Sequence, residues 1–331
     1  MLKILIAGLG SIGRRHLRNL VALGERDVVL LRSHRSTLPD EEIGEFPAET
    51  NLAEALRKHK PAAVIIANPT ALHLDVAIPA AKAGCHLLLE KPISHSLDGV
   101  GELQRAVDRT GAKVMVGFQL RFHPCLIRAR QWLQEGRIGR LLSARVQFGE
   151  YLPAWHPWED YRMGYAARAD LGGGVLLTQC HSLDYLPWLV GEIESVWGYL
   201  GKLSDLELDV EDSAEVAARF AGGAIGSLHI DYAQQPPSHR VEISGTGGSL
   251  YCDLVAGTCR VYDAKVKAWE DYNLPAAWER NVMFLDEMRK FLEVVQEGAA
   301  PACTLDDGVR VMRLIAAIRK SNESGQRISL R

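Results

Sequence analysis

The chain has 331 residues, 47 % hydrophobic and 24 % charged, with a formal net charge of −3. That length predicts about two domains and a core that needs no disulfide or metal staple. The near-neutral balance argues against nucleic acid as a partner, and no apolar run approaches the ~20 residues of a membrane span. The six cysteines (Cys85, Cys125, Cys180, Cys252, Cys259 and Cys303) form no C-x-x-C pair and no zinc spacing. They read as buried, reduced thiols of a cytoplasmic protein, with no metal site. Met1 to Ala7 is apolar, but Gly8 interrupts it and Arg14 and Arg15 follow, which is unlike a secretory signal.

Strands and helices alternate through the first third. Lys3 to Ala7 is a continuous apolar run, the pattern of a strand buried on both faces. Arg14 to Leu23 has helical spacing and stops at Gly24. Val28 to Leu31 is a second strand, Leu52 to His59 a helix, and Ala63 to Ala67 a third strand. Leu74 to Ala83 is a helix, His86 to Leu89 a fourth strand, Leu97 to Thr110 a helix, and Lys113 to Gly117 a fifth strand. Single helices between strands predict a doubly wound parallel sheet.

After about residue 120 the rhythm changes. Pro124 to Glu135 is a helix, and Leu141 to Glu150 alternates like a half-exposed strand. Tyr151 to Gly174 has no period, and Val175 to Val190 is a helix. Strand-like runs follow at Ser195–Leu200, Ser213–Phe220, Ala224–Tyr232, Arg240–Gly245, Gly248–Leu254 and Thr258–Asp263. Helices at Glu279–Gln296 and Leu305–Asn322 close the chain. The expectation is α/β in class: a Rossmann domain over 1–120, then an α+β domain with a large, mostly antiparallel sheet over 121–331. One face of that sheet must be solvated or covered by another subunit.

The first strand leads directly into Gly8-Leu9-Gly10-Ser11-Ile12-Gly13 and a helix. This is a dinucleotide fingerprint in its required context. Gly8 permits the turn, Gly10 lets a pyrophosphate approach, and Gly13 lets the helix pack on the strand. The amides at Ser11, Ile12 and Gly13 then face the phosphates. The second strand ends Leu31-Arg32-Ser33-His34-Arg35, with no carboxylate to hold a ribose 2′-hydroxyl. Arg32, Ser33 and Arg35 suit a 2′-phosphate, so NADP(H) is favoured and NAD(H) remains possible. The fourth strand ends Leu89-Glu90-Lys91-Pro92, which puts Lys91 at the carboxyl end of a parallel sheet, where such folds bind ligands.

With these residues the sequence resembles the Gfo/Idh/MocA oxidoreductases. The likeness runs through Ala67-Asn68-Pro69-Thr70, His73, Glu90-Lys91-Pro92, Gly117 to Pro124, Gly172-Gly173-Gly174, His181-x-x-Asp184 and Leu305-Asp306-Asp307-Gly308. It implies reversible oxidation of a secondary alcohol on a sugar, cyclitol or sugar derivative. It implies that His181 exchanges the hydroxyl proton while Lys91 polarises the reacting oxygen. It also implies that Asn68, Pro69, His73 and Glu90 lie on the cofactor side. Many relatives carry an Asp shortly before the catalytic His. Thr178 occupies that place here, and the spacing from the glycines to His181 is one residue short. Asp184, at i+3 from His181, is an alternative support.

The Tyr151 to Gly174 segment is rich in aromatic residues and arginine, which stack on sugars and pair with anions. Trp155, Tyr161 and Arg168 are therefore substrate candidates, together with Gln119, Arg121, Thr178 and Asp184. The leading expectation is an NADP-preferring sugar or cyclitol dehydrogenase that forms a homodimer or homotetramer through its C-terminal sheet. Two other readings stay open: an NAD-retaining glycosidase, and a non-catalytic dinucleotide or sugar sensor.

Overall fold

The computed structural model describes residues 2–33, 43–44 and 46–330. Two compact units divide it. The first takes residues 1–119 together with Arg280–Met312, and the second takes Leu120–Glu279 together with Arg313–Arg331. The chain therefore leaves the first unit near residue 120 but returns to it with part of its C-terminal helices.

Among its described residues the first unit contains six strands: β1 (Ile4–Ala7), β2 (Val28–Leu31), β3 (Ala48–Glu49), β4 (Ala63–Ile66), β5 (His86–Glu90) and β6 (Val114–Gly117). They pair in the order β3-β2-β1-β4-β5-β6, and every pairing is parallel. Helices α1 (Ser11–Ala22), α2 (Leu52–His59), α3 (His73–Lys82) and α4 (Val100–Thr110) connect them. Strands β1, β4 and β6 are buried along their whole length, as continuous apolar runs require of a sheet covered on both faces. Asn51 starts α2 by accepting the Glu54 N–H at 3.0 Å, and Gly111, at φ +70°, ends α4. The strand order reverses between β1 and β4. In this architecture that reversal makes the crevice where dinucleotides bind.

The second unit is built on a nine-stranded sheet. Its strands are β7 (Leu141–Gly149), β8 (Ile193–Gly201), β9 (Ser213–Phe220), β10 (Ile225–Asp231), β11 (Ser238–Gly245), β12 (Gly248–Asp253), β13 (Thr258–Asp263), β14 (Ala268–Asn273) and β15 (Ile328–Ser329). The order is β14-β13-β12-β11-β7-β10-β9-β8-β15. Only β7 and β10 run parallel, and the other neighbours are antiparallel. Helices α5 (Pro124–Gln134), α6 (Val175–Thr178) and α7 (His181–Val190) pack against this sheet. The inner face is apolar, with Val146, Phe148, Leu228, Ile230, Val241, Ile243, Leu250 and Val261 all buried. The outer face alternates with it and carries Arg145, Glu215, His229, Arg240 and Arg260 together with exposed Trp197, Tyr199, Tyr251 and Trp269. Helices α8 (Asn281–Gln296) and α9 (Leu305–Ser324) end the helical part of the chain. Among the described residues, no helix is long and apolar enough to cross a membrane.

Candidate active site

The turn between β1 and α1 has the geometry of a phosphate cradle. Gly8 sits at φ +92°, and a Cβ there would run into the backbone of Ala67 and Asn68. A Cβ on Gly13 would meet the carbonyl oxygen of Gly8. Packing therefore explains two of the three glycines. Gly10 is different, because a Cβ there would have no atom within 4 Å. Its lack of a side chain matters only to something approaching from outside, as a pyrophosphate would. Helix α1 has no side-chain cap and no acidic residue in its first turn. Its leading amides at Ser11, Ile12 and Gly13 have no intrahelical partner, and the positive end of its dipole is not neutralised. This chemistry fits the phosphates of a dinucleotide.

At the end of β2, Arg32 is half-buried and Ser33 is exposed, while Arg35 lies outside the described residues. The nearest carboxylate of the adjoining strand is Glu49 on β3. It is held by Lys58 Nζ and His59 Nε2, each at 2.7 Å. Those two hydrogen bonds, Lys58 first, pull its pKa below the ordinary range. The Arg32 main-chain N–H donates to the Glu49 main-chain carbonyl at 3.0 Å.

Asn68 follows β4, and its Nδ2 donates to the Leu72 carbonyl at 2.8 Å. His73 is buried between two main-chain carbonyls: Nδ1 lies 2.9 Å from Pro92 O and Nε2 lies 3.0 Å from Asn68 O. Burial lowers its pKa, against the pull of the Pro92 carbonyl. Its ring thus ties the loop after β4 to the loop after β5. It holds backbone at the carboxyl ends of β4 and β5.

Glu90 ends β5 and is buried. His16 Nε2, from α1, meets its Oε1 at 2.7 Å. Gly117 on neighbouring β6 leaves the carboxyl room, since a Cβ there would lie 3.1 Å from it. Burial pushes the Glu90 pKa up, but the hydrogen bond and charge of His16, followed by the charge of Lys91, outweigh it, and the net shift is downward. An ionised Glu90 thus stands immediately before half-buried Lys91.

In the second unit the expected continuous helix over 175–190 is broken. Gln179 and Cys180 separate α6 from α7, and buried His181 opens the second helix. Thr178 Oγ1 donates to the Gly174 carbonyl at 2.9 Å and also pairs with the Tyr232 hydroxyl. The Tyr232 hydroxyl shares its single proton between Thr178 Oγ1 and the Ala166 carbonyl, which lies 3.2 Å away. Asp184 spends both oxygens on Arg121, with Nε at 2.8 Å and Nη2 at 2.6 Å. Thr178 thus contacts Tyr232, and Asp184 contacts Arg121.

The segment before His181 folds as a chain of 3-10 turns at Leu152–Ala154, Tyr161–Met163, Tyr165–Ala167 and Ala169–Leu171. The glycine triplet that follows is explained by packing. A Cβ on Gly173 would strike the carbonyls of Tyr165, Ala166 and Arg168. Gly174, at φ +102°, yields its space to the Glu211 carboxyl, only 2.5 Å from where a Cβ would be. Trp155 meets the Tyr232 ring edge-on at 5.6 Å. The Tyr161 hydroxyl accepts from Glu207 N–H at 3.0 Å, and Arg168 grips Asp170 at 3.0 and 2.6 Å. Trp155 and Thr178 thus share one aromatic partner, Tyr232, whereas Tyr161 and Arg168 engage the loop surface. Neither His16 nor Tyr232 was foreseen from the sequence. His16 carried a signal, a histidine three residues past the last fingerprint glycine, on the buried side of a helix.

Comparison with known proteins bears on both units. Residues 2–118 match the model described as the oxidoreductase family, NAD-binding Rossmann fold, and residues 126–251 match the GFO/IDH/MocA C-terminal domain. Myo-inositol 2-dehydrogenase of Thermotoga maritima is 27 % identical over 99 % of this chain and 98 % of that protein. D-xylose 1-dehydrogenase (NADP(+)) 2 of Haloferax volcanii is 24 % identical over 98 % of each chain. Among solved structures, levoglucosan dehydrogenase in complex with NADH and levoglucosan superposes with a TM-score of 0.89, at 23 % identity and 99 % coverage of both chains.

Proposed function

The chain belongs to the Gfo/Idh/MocA family of oxidoreductases, and from that premise we propose that it moves hydride to or from a secondary alcohol carbon of a sugar, cyclitol or sugar derivative, with NADP(H) as preferred cofactor. The observation that carries the reading is the strand end Glu90-Lys91, placed in the same unit as an open Gly10 and an uncapped α1. When bound, the nicotinamide supplies the hydride chemistry. His181 takes the proton that leaves the hydroxyl, a task suited to an imidazole. The Lys91 ammonium stabilises the negative charge that grows on the oxygen as the carbinol C–H bond breaks. Gly8 to Gly13, Asn68, Pro69, His73 and Glu90 form the cofactor side. Substrate contacts come from Gln119, at the end of the first unit, and from Arg121, Trp155, Tyr161, Arg168, Thr178 and Asp184 in the second.

Arg32, Ser33 and Arg35 support the NADP(H) preference, since a guanidinium pairs with a 2′-phosphate. A thermal-shift titration is expected to reach half-effect at lower NADPH than NADH. Arg32→Ala should weaken NADPH about tenfold to a hundredfold, the worth of one charged hydrogen bond, and leave NADH nearly unchanged. Tighter binding of NADH by the parent protein would overturn the preference. Turnover is then read as nicotinamide absorbance with myo-inositol, levoglucosan and D-xylose. Release of free sugar with no net absorbance change would point to the glycosidase instead.

We also place the protein in the cytoplasm, on the support of six buried free cysteines. We assign the outer face of the nine-stranded sheet to a homodimer or homotetramer. Trp197 meets Tyr199 edge-on at 4.5 Å, and Arg260 lies over the Trp269 ring at 4.2 Å. Such flat, aromatic and charged surface suits a protein partner. Small-angle scattering should return a mass at least twice 36.5 kDa; a monomer mass at micromolar concentration sinks the assignment.

A further inference from the structure

His16 has no part in the chemistry described so far, and its side chain is fully buried. It stands three residues past Gly13, on the same face of α1. That face packs on β1 and β4, and Gly13 lets it come close. His16 thereby reaches past β4 to the end of β5, where its Nε2 lies 2.7 Å from Glu90 Oε1. Its Nδ1 is buried and has no partner. A proton on Nδ1 would be a buried donor with nothing to accept it, so the hydrogen sits on Nε2 and is donated to Glu90.

Glu90 is itself enclosed, and its strand partner Gly117 has no side chain to compete for the space of the carboxyl. The short bond on that carboxyl comes from His16, while Oε2 receives the Lys91 main-chain N–H at a long 3.3 Å. A buried carboxylate left with the long bond takes up a proton, because burial disfavours its charged form. The state of Glu90 bears on Lys91 twice. One oxygen holds the lysine's main chain, and the negative charge favours the ammonium form of the neighbouring side chain. We propose that His16 is a positioning residue for Lys91, acting through the Glu90 carboxylate. Its Nε2–H fixes Glu90 in one rotamer and keeps the charge beside the lysine. The helix whose first turn presents the fingerprint amides thus braces Lys91 from its second turn. The proposal rests on the reading of Lys91 as the catalytic cation, but its test does not need turnover.

Lys91 of the full-length protein is labelled in trace amounts with acetic anhydride at fixed pH. Its peptide is quantified by mass spectrometry against the other lysine peptides of the same sample. The neutral amine is the form that reacts, so a lysine that loses a neighbouring carboxylate charge labels faster. His16→Leu should raise the Lys91 rate by about threefold or more, the effect of a shift of about half a pH unit. His16→Gln keeps an N–H within reach of Glu90 and should label at the parent rate. Glu90→Gln keeps the shape without the charge and should label as fast as His16→Leu. In the Glu90→Gln background His16→Leu should add nothing, since the two residues act in series. A parent rate in His16→Leu, an equal rise in both His16 variants, or a full further rise in the double variant overturns the proposal. Where His16→Leu fails to fold, Glu90→Gln carries the test, and a parent rate there overturns it. Absence of turnover in the sugar panel leaves these readouts untouched, so the two readings fail separately.

Discussion

Lys91→Met is expected to lower kcat by about 10²–10³-fold, the worth of one preorganised donor at a developing oxyanion, while the dissociation constant for NADPH stays within about threefold. The split follows from where the charge acts. In the proposed function the fingerprint amides and the dipole of α1 bind phosphate, and neither depends on Lys91. In the same reading the ammonium acts when the carbinol oxygen becomes negative, which happens only on the way to the transition state. Methionine matches the lysine stem in length and leaves Glu90, His16 and the Pro92 carbonyl with their partners. Steady-state turnover with the best substrate of the panel, set beside a fluorescence titration of NADPH, measures both numbers. A variant that turns over at the parent rate ends the catalytic reading of Lys91. A variant that loses kcat and NADPH affinity in equal measure makes the residue a cofactor ligand instead.

The first unit could be read from the sequence because its strands have no alternative. Ile4 to Ala7 and Ala63 to Ile66 are apolar on both faces, and only a strand covered on two sides can use them. The Gly8-x-Gly10-x-x-Gly13 turn adds a local steric demand that the structure meets at Asn68 and at Gly8 itself. The second unit was less open to reading. Ala268 to Asn273 is a strand at the sheet edge whose residues are mostly exposed, so it lacks the alternation that marks its neighbours. What fixes it is long-range: the Glu270 carboxylate holds Arg128, Trp132 and Arg137 at 2.8, 3.1 and 2.8 Å. The break between Thr178 and His181 was hidden for a similar reason. Val175 to Val190 has unbroken helical apolar spacing, and the interruption comes from bonds to distant partners. Gln179 Nε2 reaches the Asp231 carbonyl at 3.2 Å, and Thr178 is held by Tyr232.

The Arg121–Asp184 pair sets the largest expected loss of stability. The two residues come from a turn after β6 and from α7, 63 positions apart, and their side chains are 7 % and 2 % exposed. Two parallel N–H···O bonds at 2.8 and 2.6 Å satisfy both carboxylate oxygens, and the Trp188 ring lies 5.8 Å from the guanidinium. Removing one partner leaves the other charged and buried without its counter-ion. Asp184→Leu should therefore cost about 3–5 kcal/mol. In a domain of 150–250 residues each kcal/mol moves the midpoint by about 2–4 °C, so a fall of roughly 6–20 °C is expected by calorimetry. The double variant Arg121→Met, Asp184→Leu removes both charges and keeps apolar volume. It should recover most of that loss, because a buried ion pair and a well-packed apolar pair differ little in net stability. The double variant also separates stability from substrate recognition. A protein with the parent midpoint and unchanged turnover on the sugar panel would make the pair a structural strut. A stable protein with a raised KM and unchanged kcat would place the Arg121 guanidinium against the substrate.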